Sequence, residues 1–238
     1  AAVREAARRM GIAMEGASAA VVGATGAIGS VCAQVLAREV PDLILIGRRA
    51  DRLASVAEQC SGHLARVTTS TDVVAIYRAD LILTVTSDTA AVIQPEHLKP
   101  GAVVCDVARP RDVSARVAEV RDDVLVIEGG MVEVPGPVDF GFNFGFPPGK
   151  AYACMAETMA LALEGRYEDY SVGKQIGLAQ VEEIGALAAR HGFRLGGFRS
   201  FERAVTDEQI DAIRQRAAEA RRGQRGVATN IPVIHPHG

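Results

Sequence analysis

Residues 21–30, VVGATGAIGS, constrain this chain more than any other stretch, because an apolar run delivers the backbone straight into Gly23, Gly26 and Gly29. A parallel strand hands over to a helix in this way around a dinucleotide pyrophosphate. The first glycine permits the tight turn, the second keeps side chains away from the phosphates, and the third lets the helix pack closely on the sheet. The N–H groups and positive dipole end of that helix then face the anion. The spacing G-x-x-G-x-x-G is one residue wider than the strict fingerprint, so the context has to carry it. An apolar strand precedes the loop at 19–22, and SVCAQVLAR at 30–38 has helical periodicity. Gly23, Thr25, Gly26, Ala27, Ile28 and Gly29 are therefore the expected cofactor cradle, with an ordinary glycine-rich turn as the alternative.

Apolar runs and helical stretches go on alternating beyond that loop. Strands are expected over 42–46, 64–68, 81–86, 102–107 and 124–128, with helices over 49–59 and 72–78 between them. Continuous Val/Ile/Leu runs, rather than alternating ones, belong to a parallel sheet covered on both faces. The fold class is thus α/β: a doubly wound, mostly parallel Rossmann-type sheet followed by a helical C-terminal segment. Helices are expected over 151–164, 178–191 and 207–222, the last opened by a capping box of Thr206 and Gln209. The expected division is a lead-in helix in 1–13, a nucleotide-binding domain over 14–148, a helical segment over 149–222 and a tail over 223–238. The chain opens without methionine inside an apparent helix, which suggests an upstream segment.

With 238 residues, 48% of them hydrophobic, the chain has ample material for one large core, and its net charge of −3 argues against nucleic acid as a partner. No apolar run approaches the roughly twenty residues of a membrane span, and no secretory signal is visible. The four cysteines are scattered without a C-x-x-C pair, so neither zinc nor a disulfide framework is indicated and a reducing cytoplasm fits best. Nothing fixes a homo-oligomer interface.

The choice of dinucleotide is made at the end of the second strand. An acid there bonds the ribose 2′-OH of NAD, whereas a 2′-phosphate needs cations. This strand ends Ile46-Gly47-Arg48-Arg49, with Arg52 a turn further and no acid at the ribose position. NADP(H) is favoured, with Arg48 and Arg49 as leading ligands and Arg52 beside them, against the alternative of solvated charges at a helix start. Ser87 and Asp106 stand at the carboxyl ends of the fourth and fifth strands, where they either border the nicotinamide or serve as caps.

Cys154 is the strongest candidate for covalent chemistry. Pro147, Pro148 and Gly149 end what precedes and start a helix, placing the thiol near its first turn, where the dipole and Lys150 favour a thiolate. The alternative is a small buried hydrophobe. Cys32 and Cys105 are assigned to the core, and Cys60 lacks an activating neighbour. Phe140, Phe142, Phe144 and Phe146 recur with period two in DFGFNFGF, as the wall of an apolar channel or as residues that pin a crossover to the sheet.

Taken in order, VVGATGAIGS, VIEGGMVE at 126–133, YACMAETMALALEG at 152–165 and IGALAARHGFR at 184–194 resemble the long-chain fatty acyl-[acyl-carrier-protein] reductases of cyanobacteria over about residues 3–194. The resemblance implies that the glycine loop holds NADPH. It also implies that Cys154 takes the acyl group from an acyl carrier protein or coenzyme A thioester, and that an aldehyde is released. His191 and Glu157 are then candidates for proton transfer. Three features depart from the family: Ala27 replaces an acid in the loop, DVARPRD stands where the family has Gly-Gly-Tyr-Pro, and the family's N-terminal region is missing. Two other readings stay open, a dehydrogenase of the shikimate dehydrogenase or glutamyl-tRNA reductase type, and a non-catalytic NADP-binding sensor.

Overall fold

The computed structural model describes residues 1–143, 145–173 and 176–229. Its first part runs α1 (Ala2–Arg9), β1 (Ser18–Val22), α2 (Ala27–Ala37), β2 (Asp42–Ile46), α3 (Ala50–Gln59), β3 (Arg66–Ser70), β4 (Leu81–Thr84), β5 (Val103–Asp106), α4 (Ala115–Val120) and β6 (Leu125–Glu128). The six strands form one parallel sheet in the order β3-β2-β1-β4-β5-β6. The order reverses direction between β1 and β4, and in open α/β sheets that point marks the ligand crevice.

Period-two side-chain direction sends neighbouring residues of one strand into different cores. Val21, Leu45, Leu83 and Cys105 face a layer made by α1 and α2, with Val3, Ala6, Ala7, Leu36 and Ala37. On the opposite face Val22, Ile44, Ile82 and Val104 pack with Ile76, Ile93, Leu98, Val113 and Val117. Both faces are covered over β1, β2, β4, β5 and β6, which are largely apolar and sealed from water, whereas the edge strand β3 (RVTTS) is polar and largely exposed. The lead-in helix α1 shares this core rather than standing apart. Between β3 and β4 the expected helix over 72–78 is a 3₁₀ segment, Val73–Arg78, capped by Asp72, whose side chain accepts from Val74 N–H at 3.0 Å.

The second part contains β7 (Met131–Glu133), β8 (Lys150–Tyr152), α5 (Ala153–Leu163), α6 (Leu178–Arg190), β9 (Arg194–Leu195), β10 (Phe198–Ser200), β11 (Arg203–Val205) and α7 (Asp207–Thr229). Strands therefore continue past residue 148, contrary to expectation. An antiparallel sheet in the order β8-β7-β9 and a β10–β11 hairpin lie among the helices. Val134, Ala151, Ala156, Leu161, Leu187 and Phe193 form a third core under this sheet and α5–α6. Because β7 lies before residue 148 and belongs to this core, the boundary in packing falls earlier than the composition indicates. The capping box of α7 is present: Gln209 N–H donates to Thr206 Oγ1 at 3.3 Å, and Thr206 N–H to Gln209 Oε1 at 2.9 Å. α7 extends through much of the stretch read as a tail, and residues 230–238 lie outside the described residues.

Candidate active site

The glycine loop is built by backbone contact. Gly23 has φ +82°, a left-handed conformation that disfavours side chains, and a Cβ there would stand 2.7 Å from Val85 O. A Cβ on Gly29 would stand 2.2 Å from Gly23 O, so α2 approaches its own preceding turn as closely as glycine alone allows. Gly26 is exposed, and a Cβ there would meet only Gly23 O, at 3.4 Å. Thus two glycines are needed by packing, and Gly26 leaves the surface open. Gly26 is also the N-cap of α2, which has no side-chain cap and no acid in its first turn. Its N–H groups are left for an anionic ligand, and the residues present fit a dinucleotide pyrophosphate. Thr25 turns inward toward Gly47, while Ala27 is half-buried and Ile28 exposed on the rim.

At the end of β2, Arg48, Arg49 and Arg52 are all exposed. Arg49 is paired with Asp51, Nη2 to Oδ2 at 2.6 Å, whereas the side chains of Arg48 and Arg52 have no hydrogen-bond or ion-pair partner among the described residues. Arg48 and Arg52 are thus the readier cations, a reordering of the sequence reading caused by one neighbouring carboxylate.

Ser87 is exposed beyond β4. Asp106 is buried, and its two oxygens accept from Ala108 N–H and Val113 N–H, both at 3.0 Å. Burial raises its carboxyl above the ordinary range, and the Val113 and Ala108 bonds oppose this. Asp106 therefore holds its own loop in shape, the capping role that the sequence offers beside a place at the nicotinamide. Sequence reasoning missed Asp112, which is fully buried and accepts from Thr84 Oγ1, Thr86 Oγ1 and Thr86 N–H, the last at 2.8 Å. That carboxylate ties the loop after β5 to the loop after β4. The only signal available was its place five residues after a predicted strand end, which by itself describes any turn aspartate.

Cys154 is exposed and occupies the second position of α5. Tyr152, the N-cap, gives no side-chain cap, and the first turn carries no acid. Ala153 N–H donates to Gly130 O at 2.7 Å. Gly130 lies two residues beyond β6, so this bond joins the start of α5 to the carboxyl rim of the parallel sheet. Lys150 is engaged by Glu133 at 2.8 Å. Glu157 lies three residues on and accepts from Ser171 Oγ. His191 is elsewhere: it caps α6, and its Nε2 lies 2.7 Å from Glu164 Oε1 at the far end of α5. Ten residues of helix separate Glu164 from Cys154, a rise of about 15 Å. His191, a sequence candidate for proton transfer, thus joins α5 to α6 at the end of α5 remote from Cys154. Phe140 packs on the third core and Phe142 is largely exposed, while the rings of Phe146 and Tyr152 meet at a tilt of 51° with centroids 4.5 Å apart. Phe144 lies outside the described residues; Phe140, Phe142 and Phe146 line one pocket with Pro147 and Pro148.

The chain is 34% identical over 199 residues to aminotransferase PigE of a Serratia species, a match covering 80% of this chain and 23% of PigE. It is 35% identical over 201 residues to the long-chain acyl-[acyl-carrier-protein] reductase of Synechococcus elongatus, covering 81% of this chain and 57% of that protein. The chain thus spans about a quarter of one curated relative and somewhat over half of the other. Among solved structures, the nucleotide-binding domain of Thermoplasma volcanium glutamyl-tRNA reductase is similar at 21% identity and TM-score 0.38, covering 52% of this chain and 81% of that one. No helix among the described residues is long and apolar enough to cross a membrane. The domain is an NAD(P)-binding one of oxidoreductase type. Through residues 4–128, more than half its length, the chain belongs to the shikimate / quinate 5-dehydrogenase family.

Proposed function

We propose that this chain reduces an acyl thioester, carried by an acyl carrier protein or coenzyme A, to an aldehyde at the expense of NADPH, with Cys154 as nucleophile. The observation that carries the reading is an exposed thiol in the first turn of a helix that no side chain caps, joined through Gly130 to the carboxyl rim of the sheet. A helix N-terminus favours the thiolate, and its N–H groups are donors for the oxyanion that forms when sulfur attacks a carbonyl. Similarity to a protein described as an acyl-carrier-protein reductase supports the same chemistry.

In this reading Cys154 sulfur bonds to the acyl carbon, and the carrier leaves as a thiolate that takes up a proton. When bound, the dinucleotide supplies the hydride that reduces the acyl carbonyl. The bond from Cys154 sulfur to carbon then breaks, regenerating the thiolate and releasing the aldehyde. Dividing one difficult displacement into two frees the carrier before reduction. Glu157, one turn along from Cys154, is the proton-transfer candidate that the geometry retains. Arg48 and Arg52, with no acid at the end of β2, select the 2′-phosphate of NADPH over NADH. Four free thiols suit a reducing cytoplasm.

Cys154→Ser tests the proposal. Thioester-dependent NADPH oxidation should fall at least about a thousandfold, with NADPH binding retained; survival of turnover sinks the acyl-enzyme. A second reading, an ordinary dehydrogenase of a hydroxylated substrate, is favoured by the family match at residues 4–128, which ends before Cys154. On that reading the serine variant keeps full hydroxyl-dependent NADP reduction.

A further inference from the structure

The β10–β11 hairpin turns through Phe201 and Glu202, with φ of 46° and 68°. Ser200 pairs with Arg203, so these two residues form the entire turn. A two-residue hairpin with both φ positive is normally given to Asn-Gly or Gly-Gly. Two bulky residues persist in such a conformation only where their surroundings over-determine it.

The surroundings do so on both sides. Toward the parallel sheet, Glu202 N–H donates to Glu128 Oε1 at 2.7 Å, at the buried end of β6. Arg111, from the loop after β5, reaches Glu202 Oε1 at 2.7 Å and lies over the Phe201 ring at 5.7 Å. Phe201 itself packs on the second core. Toward the cysteine, half-buried Arg199 of β10 uses both arms of its guanidinium. Nη1 donates to Gly145 O and Nη2 to Glu202 O, each at 2.7 Å. Its guanidinium carbon stands 5.1 Å from the centroid of Phe146. Phe146 in turn packs at a tilt against Tyr152, the residue at the start of the helix that bears Cys154.

We propose that the hairpin is a clamp that fixes the Cys154 helix start against the carboxyl rim of the sheet, and that Arg199 is its positioning residue at the nucleophile. The contacts run unbroken from Glu128 through Glu202 and Arg199 to Phe146 and Tyr152. Arg199 is suited to this task because its planar fork satisfies two carbonyls while its face covers a ring; an ammonium would serve only one of these roles well. It touches no reacting atom. Its effect on turnover rests on the reading of Cys154 as the nucleophile, whereas its effect on local order does not.

The test uses the full chain with Arg199→Ala and Arg199→Lys, and Phe146→Leu as a milder variant that keeps both backbone bonds. Amide hydrogen exchange over residues 145–156 should speed at least about fivefold in Arg199→Ala, with residues 18–46 unchanged. With acyl-coenzyme A as substrate, kcat should fall at least about tenfold while KM for NADPH stays within about twofold. Arg199→Lys should recover part of both losses, and Phe146→Leu should move both in the same direction by less. Unchanged exchange over 145–156 in Arg199→Ala overturns the clamp whatever the activity. If the wild type forms no acyl-enzyme, the functional reading falls, and the exchange measurement alone decides the clamp. A kcat within about twofold of an active wild type overturns the positioning role.

Discussion

The two halves of the sheet's carboxyl rim are held by different means. Around β1 and β2, backbone packs on backbone, Gly29 on Gly23 and Gly23 on Val85, with Gly47 beside the Thr25 side chain. Around β4, β5 and β6 the loops hang on buried carboxylates: Asp112 binds the threonines after β4, Asp106 its own loop, and Glu128 the hairpin tip. At Gly23 and Gly29 the first half tolerates no added atom. The second tolerates shape changes but no loss of an acceptor, because each buried oxygen satisfies an N–H or hydroxyl that would otherwise be stranded. A rigid pyrophosphate cradle beside adjustable loops lets one scaffold keep its cofactor while the substrate side varies.

Gly29→Ala should break the first half most severely. The intruded atom is backbone and cannot step aside, so NADPH binding should be lost and stability should fall by about 3 kcal/mol, as read by cofactor fluorescence and denaturant titration. Wild-type affinity in this variant would mean that the cradle lies elsewhere. Asp112→Ala attacks the second half and should cost about 2 kcal/mol in the same titration, with less effect on NADPH binding than Gly29→Ala. Equal loss of binding in both variants would erase the contrast between the halves. Arg48→Ala should weaken NADPH about tenfold, or about 1.4 kcal/mol, and leave NADH affinity within about twofold. Parallel losses for both nucleotides would remove the arginine from the 2′-phosphate.

The smallest effect concerns the α5–α6 joint. Hydrogen bonding to His191, helped by Arg190, holds the Glu164 carboxyl below its ordinary value. A carboxyl lowered in the folded state stabilises fully above its unfolded value and loses that contribution as pH falls through the folded one. The melting difference between wild type and Glu164→Gln should therefore be full above about pH 5 and shrink as pH falls below the ordinary Glu value of about 4.3. A pH-independent difference would show that the contact is not ionic in origin.

The same contrast explains what the sequence makes legible. Glycine spacing, apolar strands and the Thr206–Gln209 box are written within a few adjacent residues, and each is found where expected. The three-residue strands β7 and β8 are not readable, because only pairing between residues 17 or more positions apart makes strands of them. Asp106 and Asp112 look alike as turn aspartates. Whether each faces a ligand, its own loop or a neighbouring one depends on which backbone groups the fold brings near. His191 ends α6 beside Gly192, yet its partner Glu164 lies 27 residues away at the end of a different helix. Arg199 has no motif; its value comes from Gly145 and Phe146, over fifty residues before it.

The central claim is that an exposed helix-start thiol takes an acyl group. Intact mass measurement after incubating the chain with long-chain acyl-coenzyme A, without NADPH, addresses it directly. A single acyl adduct that maps to Cys154 and disappears on adding NADPH, with aldehyde released, is the expected result. An unmodified mass for wild-type protein that still oxidises NADPH with the same thioester would contradict it.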